Sequence, residues 1–319
     1  MQTILNPMPF QGNLHKRTYF EGWYLKHVSK DKSCVLSFIP GVSLTPDDRC
    51  CFIQVIDGIS GKTWYIKYPL ETFQWNRDIF FVSAGTSTFS LDGCSINIDE
   101  SDLKITGTLH YSGMQCYPRT PAHPGIMGWF SFIPRLECRH DVLSMNHTVS
   151  GTLQINGNSL DFTEGSGYIE KDWGWNFPSS YIWIQCNNFD EQETSFMMAV
   201  ARVPIGLFAG KGILGFLGFL QTGKKVRTFG TWNKWTIQSC VFPGTGEGTV
   251  MLTDGHERID CHVKSSSGGI LKAPAKGAMS QIVKESINAS LSVRITEKNG
   301  AVILLEGHPG GFEQRGIFN

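Results

Sequence analysis

The chain has 319 residues, enough for two domains of ordinary size. Its 28 basic and 28 acidic residues cancel, with no Lys/Arg cluster, which excludes nucleic acid and strongly anionic surfaces as electrostatic partners. Charged residues are only 18% while aromatics reach 12%, so the chain builds either thick cores or a cavity lined with rings.

In chain order, the start MQTILNPMPFQGNLHK has no basic stretch followed by an apolar core, so no signal peptide is expected. The nine cysteines are irregularly spaced, with no CxxC, and read as reduced thiols rather than a disulfide frame or a zinc site. The sequons at Asn146 and Asn288 therefore carry no weight. YFEGWYLK (residues 19–26) reads as a strand with Glu21 and Trp23 on one face, Tyr24 and Lys26 on the other. Trp23 suits the floor of a barrel, and Glu21 sits between two rings, Tyr19 and Trp23. Short β-rich runs follow (SCVLSFIP, CCFIQVI, KTWYIKY), punctuated by Asp57-Gly58 and Asp92-Gly93. That rhythm predicts antiparallel sheet closed into barrels or sandwiches.

Residues 123–151 hold His123, Glu137, His140 and His147. Glu137 and His140 are three apart, which suits a metal only on a helix. Pro134 and the following β-branched run argue against a helix, so no metal is expected. His147 is a candidate proton relay. Asn156-Gly157 and Asn299-Gly300 predict hairpins.

The densest run is GSGYIEKDWGWNFPSSYIWIQCN, residues 165–187. Extended, it puts Tyr168, Glu170 and Asp172 on one face. A buried carboxyl is costly, and desolvation raises its pKa, so it can stay protonated and act as a general acid. Lys171 points the other way, as an exposed lysine or a partner holding Asp172 ionised. Tyr19 to Tyr24 echoes Tyr168 to Trp173, as Tyr-x-Glu closely followed by Trp, which suggests two similar halves.

Residues 203–220 are the most apolar stretch. Five glycines and Lys211 argue against a spanning helix, leaving a buried segment or a greasy rim at a membrane surface. Residues 278–287 are the best helix candidate, with Met279, Ile282, Val283 and Ile287 on one side. HPGGFEQRG (308–316) suggests a turn without chemistry. No GxGxxG opening a helix, P-loop or GxSxG elbow is present, so nucleotide cofactors, phosphoryl transfer and serine hydrolysis lose support.

YFEGWYLK, HPGIMGWFSFIPRLECRHDVLSMNH and GYIEKDWGWNFPSSYIWIQCN, in that order, resemble the tocopherol cyclase family. The resemblance implies an all-β fold of two lipocalin-like antiparallel β-barrel or sandwich halves, akin to carotenoid hydratases, with little helix. The halves are expected at residues 1–165 and 166–319. It also implies a cofactor-free, metal-free intramolecular cyclisation: a prenylated hydroquinol adds its phenol oxygen across the nearest double bond and gives a chromanol. The alternatives are hydratase-like protonation of a polyene and a non-catalytic prenyl-lipid carrier. A carrier needs the rings but not the buried carboxyls.

The candidate catalytic group is Glu170, with Asp172 second and Tyr168 and His147 orienting or relaying. Glu21, Trp23, Tyr24, Trp129, Glu137, His140, Trp173, Trp175 and Trp183 are the candidate substrate-binding set. The expected partner is a hydrophobic prenylated small molecule, with peripheral membrane contact through 203–220 and no nucleic acid. The plant branch of the resembled family is plastidial. A cytoplasmic, membrane-peripheral location is expected here, plastidial only if a transit peptide has been removed.

Overall fold

The computed structural model describes residues 2–203, 213–265 and 268–316. They are almost entirely strand. The exceptions are a four-residue helix, α1 (Gln2–Leu5), and two short 3-10 turns, Leu70–Thr72 and Gly128–Phe132.

Twelve strands form the first antiparallel sheet. They are β1 (Tyr19–Val28), β2 (Val35–Leu44), β3 (Arg49–Asp57), β4 (Thr63–Pro69), β5 (Gln74–Trp75), β6 (Phe81–Ala84), β7 (Ser87–Ser90), β8 (Gly93–Asp99), β9 (Lys104–Gln115), β10 (Cys138–Ile155), β11 (Asn158–Asp161) and β12 (Gly165–Gly174). Ten form the second: β13 (Tyr181–Cys186), β14 (Thr194–Val203), β15 (Ile213–Thr222), β16 (Lys225–Gly230), β17 (Thr236–Val241), β18 (Glu247–Thr253), β19 (Arg258–Lys264), β20 (Gly269–Ala275), β21 (Ala278–Thr296) and β22 (Val302–Arg315).

The two sheets repeat one topology. In the first, the order runs β4-β3-β2-β1-β12-β10-β9-β8 and onward. In the second it runs β16-β15-β14-β13-β22-β21-β19-β18-β17. Each opening strand therefore pairs with its sheet's closing strand, which pairs with a long bent strand. Bulges in β10 and β21 let these 18- and 19-residue strands curve. Each sheet curls around its own core, as in a lipocalin-like half-barrel. Trp23, Phe38, Phe89, Leu109, Phe162 and Ile169 belong to the first core. Ile182, Phe196, Phe229, Leu252, Val293 and Phe312 belong to the second.

The chain divides into one compact unit of residues 1–177 and 270–282, and another of 178–269 and 283–319. The expected division between 165 and 166 falls at the start of β12. Residues 270–282 are held in the first unit by hydrogen bonds. Gln54 Nε2 donates to the Lys272 carbonyl (3.0 Å) and accepts the Lys272 N–H on Oε1 (2.9 Å), and Ser43 donates to the Gly277 carbonyl (2.9 Å).

The β10–β11 hairpin forms at Asn156-Gly157, with φ of 49° and 85°, the left-handed pair that a two-residue turn needs. Residues 278–287 are strand, not helix. Their apolar residues fit a helical stripe, but that stripe includes Ile282, which is 66% exposed. From Asn288 onward burial alternates, and Ala289, Leu291 and Val293 face the core; Val283 and Ile287 are buried as well. Residues 308–315 are likewise strand, inside β22, rather than a turn.

Candidate active site

β12 crosses the centre of the first sheet between β1 and β10. The register sets Tyr24 and Val142 opposite Glu170, Gly22 and His140 opposite Asp172, and Lys26 opposite Tyr168. Tyr168, Glu170 and Asp172 thus share one face, with His140 added by β10. Lys171 lies on the other face, opposite Trp23 and Asp141.

On the first face four side chains form a line. The Tyr168 hydroxyl donates to Glu170 Oε2 at 2.7 Å. His140 Nε2 lies 3.7 Å from that same oxygen, and His140 Nδ1 is 3.0 Å from Asp172 Oδ1. Side-chain exposure rises along the line from 6% at Glu170 to 13% at His140 and 28% at Asp172. Burial opposes the imidazolium, but Asp172 and Glu170 together outweigh it and lift the His140 pKa to about 9. Burial, then the Glu170 carboxyl, push the Tyr168 phenol well above its ordinary pKa, so it serves as a donor. A buried acid therefore lies beside an imidazole that bonds a carboxyl nearer solvent; the 3.7 Å between His140 and Glu170 is longer than a hydrogen bond and has to close, or take in a water, for a proton to pass inward. The donor atoms of His140, Glu170 and Asp172 also lie within 4.8 Å of one another. That spacing suits a divalent ion, which would take the lone pairs that otherwise hold the proton.

The opposite face carries a buried ion pair. Lys171 Nζ is 2.6 Å from Glu21 Oε1, with both side chains fully buried. The ammonium also donates to the carbonyls of Pro7 (2.8 Å) and Pro9 (2.5 Å) and lies over the Trp23 and Trp173 rings. Burial lowers the Lys171 pKa against the pull of Glu21. Glu21 further accepts from the Tyr19 hydroxyl (2.5 Å) and the Gln11 N–H (2.9 and 3.0 Å). Lys171 is thus neither exposed nor the partner of Asp172; strand alternation turns it into the half-barrel, and His140 takes its place beside Asp172. Trp23 is fully buried and stacks on Phe80 at 5.6 Å.

The remaining candidates are dispersed. His147 lies on the inner face opposite Gly167, bonded to Ser144 (2.9 Å) and packed on Tyr111, away from the acids of the other face. Burial lowers its pKa to about 3, as it does for His27, which bonds the Tyr111 hydroxyl at 2.6 Å. Trp129 is 48% exposed on its 3-10 turn. Glu137 takes a bond from Asn176 Nδ2 at 3.4 Å. Trp183 is buried in the second unit, against Gly311. Trp173 and Trp175 line a cavity of about 390 Å³ in the first unit, together with His140, Arg139, Tyr19 and Lys16. Residues 204–212, the centre of the apolar stretch, lie outside the described residues.

Sequence reasoning missed the clamp on β10. Arg119 Nη2 pairs with Asp141 Oδ2 (2.6 Å) and donates to the Val142 carbonyl (2.8 Å). Asp141 also accepts the Ile126 N–H (3.2 Å). A Cβ on Gly125 would sit 2.4 Å from Asp141 Oδ1, so the glycine of His-Pro-Gly lets this loop close. That glycine was the signal available in the sequence.

Fold and site together define an all-β protein of two lipocalin-like half-barrels whose first unit carries a buried carboxyl–imidazole line. The profile of the tocopherol cyclase-like family matches residues 104–313, and the chain belongs to that family. Over 184 residues it is 26% identical to a maize (Zea mays) protein named as a chloroplastic tocopherol cyclase, covering 54% of this chain but only 36% of the maize protein. Among solved structures, CghA in complex with Sch210972 superposes with a TM-score of 0.57 at 12% identity, over 94% of this chain and 89% of that one. Kievitone hydratase from Nectria haematococca gives a TM-score of 0.55 at 12% identity, over 96% and 91%. At such identity these two likenesses show the fold.

Proposed function

We propose that the chain is a cofactor-independent isomerase of the tocopherol cyclase type, closing a prenylated hydroquinol to a chromanol by alkene protonation. The observation that carries this reading is the line Tyr168–Glu170–His140–Asp172 on a buried sheet face. Glu170 gives its proton to the less substituted alkene carbon, and positive charge develops at the tertiary carbon. The phenol oxygen bonds that carbon and releases its proton to solvent water, which balances the proton that Glu170 gave and regains through His140. No atom is gained or lost. Tyr168 orients Glu170, and His140, rather than His147, reloads it from the solvent side at Asp172.

Family membership and the maize relative's name support this chemistry over a carrier, which would have no use for a buried acid wired toward solvent. The substrate is a membrane lipid, so the protein is proposed to work at a membrane surface, in the cytoplasm. No described helix is long and apolar enough to cross a bilayer. Incubation with a short-chain prenyl hydroquinol tests the reading by mass spectrometry and chromatography. An isomer of equal mass with a new retention time supports cyclisation. A product heavier by one water points to hydration, and unchanged substrate held by the protein points to a carrier.

A further inference from the structure

We infer that the 390 Å³ cavity of the first unit is a binding site for a small aryl carboxylate, its anionic group held by Lys16 and Arg139 and its ring by Tyr19, Trp173 and Trp175. The volume falls within the range of small-molecule sites. Its charges do not balance locally. Arg139, half-buried, donates to the Ile133 carbonyl (2.8 Å) and makes no ion pair among the described residues. Lys16, at the mouth, lies 3.9 Å above the Tyr19 ring and also has no carboxylate partner there.

The acids nearby are already committed. Asp141 belongs to Arg119, and Glu21 to Lys171, Tyr19 and Gln11. Burial lowers the Lys16 pKa, and Arg139 lowers it further against the pull of Glu21. Burial lowers the Arg139 pKa too. Two cations thus act on each other, and the acid that pulls on Lys16 is already paired with Lys171.

A guanidinium fork takes a carboxylate through two parallel hydrogen bonds, and the ammonium adds charge. The indole walls call for a flat apolar body behind that carboxylate. Glu170 does not line this cavity although His140 does, so a Glu170 variant separates binding here from the acid itself.

Calorimetric titration of the full chain tests it, with benzoate, benzamide and inorganic phosphate as probes. Benzoate is expected to bind at least about tenfold tighter than benzamide, the value of one charge-assisted contact. R139Q and K16Q should each weaken benzoate by about that factor, with an unchanged melting temperature checking the fold. Lys16 is exposed, so K16Q tests the site even if R139Q unfolds. E170Q should bind benzoate as the wild type does. Equal binding of benzamide, phosphate binding as tight as benzoate, no heat with benzoate, or full affinity in K16Q would each overturn the inference.

Discussion

Glu21 and Glu170 sit in the same local device on opposite faces of one sheet. Each accepts a hydrogen bond from the tyrosine two residues before it, Tyr19 at 2.5 Å and Tyr168 at 2.7 Å. Glu21 faces into the half-barrel and meets Lys171, while Glu170 faces outward and meets His140. The same three-residue pattern therefore yields a structural ion pair on one side and a proton-handling group on the other. The difference lies in the partner that neighbouring strands supply.

Glu170→Gln keeps size and hydrogen bonding but removes the acidic proton. Turnover of a prenyl hydroquinol should fall by at least about 100-fold with KM little changed, since general-acid help is worth about two to four orders of magnitude. Normal turnover in Glu170→Gln together with a dead Asp172→Asn would assign the acid to Asp172 instead.

His140 sets the alkaline limb. Its folded pKa, about 9, lies above its ordinary value of 6.5. Its charged pairing therefore stabilises the fold fully below pH 6.5 and loses that contribution as pH rises through about 9. Urea midpoints of the wild type and His140→Gln should converge between pH 6.5 and 10. Turnover should fall over the same range in the wild type, and that limb should vanish from the slower variant.

His27 and His147 set the acid limb. Both are held neutral, at about 3 against an ordinary 6.5, by burial first. The unfolded chain binds protons that the folded one refuses, so stability is present above pH 6.5 and drains as pH falls toward 3. His147→Asn mimics the Nδ1 contact to Ser144 and should flatten the slope of stability against pH by up to about one proton, roughly 1.4 kcal/mol per pH unit. An unchanged slope in denaturant titrations would count against this origin.

Lys171→Met strands Glu21 in the half-barrel and frees the carbonyls of Pro7 and Pro9. A loss of about 3–5 kcal/mol is expected in urea unfolding, with faster proteolysis near residue 10. The double variant Glu21→Gln/Lys171→Met should recover part of that loss, because no buried charge is left alone.

At the described end of the apolar stretch, Leu214 is 39% exposed while Phe216 is 8% exposed and belongs to the second core. Leu214→Ser should lower liposome cosedimentation without changing the melting temperature. Phe216→Ser should destabilise by several kcal/mol, near the 3–5 typical of a phenylalanine truncation.

Local rules made much of this protein readable from its residues. Alternation alone put Tyr168, Glu170 and Asp172 on one face and Glu21 with Trp23 on another, because side-chain direction in a strand is fixed by the pleat. Asn156-Gly157 announced its hairpin because few residues accept two left-handed conformations in a row. The family was legible because its motifs pack rings and glycines into long specific runs.

What lay beyond sequence was decided by which strands become neighbours. The echo between residues 19–24 and 168–173 marks adjacent strands β1 and β12 of a single sheet, while the repeated topology matches β1 to β13. The stripe at residues 278–287 fits a helix locally, yet β21 is held as a strand by pairing with β20 and, from Glu285, with β22. Register chose His140 for Asp172, while His147, seven residues on, keeps the opposite face because the two bulges in β10 between them cancel. The partner of each charge is set by pairings more than a hundred residues apart for Glu21 and Lys171, and about thirty for His140 and Asp172. No local rule reaches that far, since the energy that selects a register comes from the whole buried face at once.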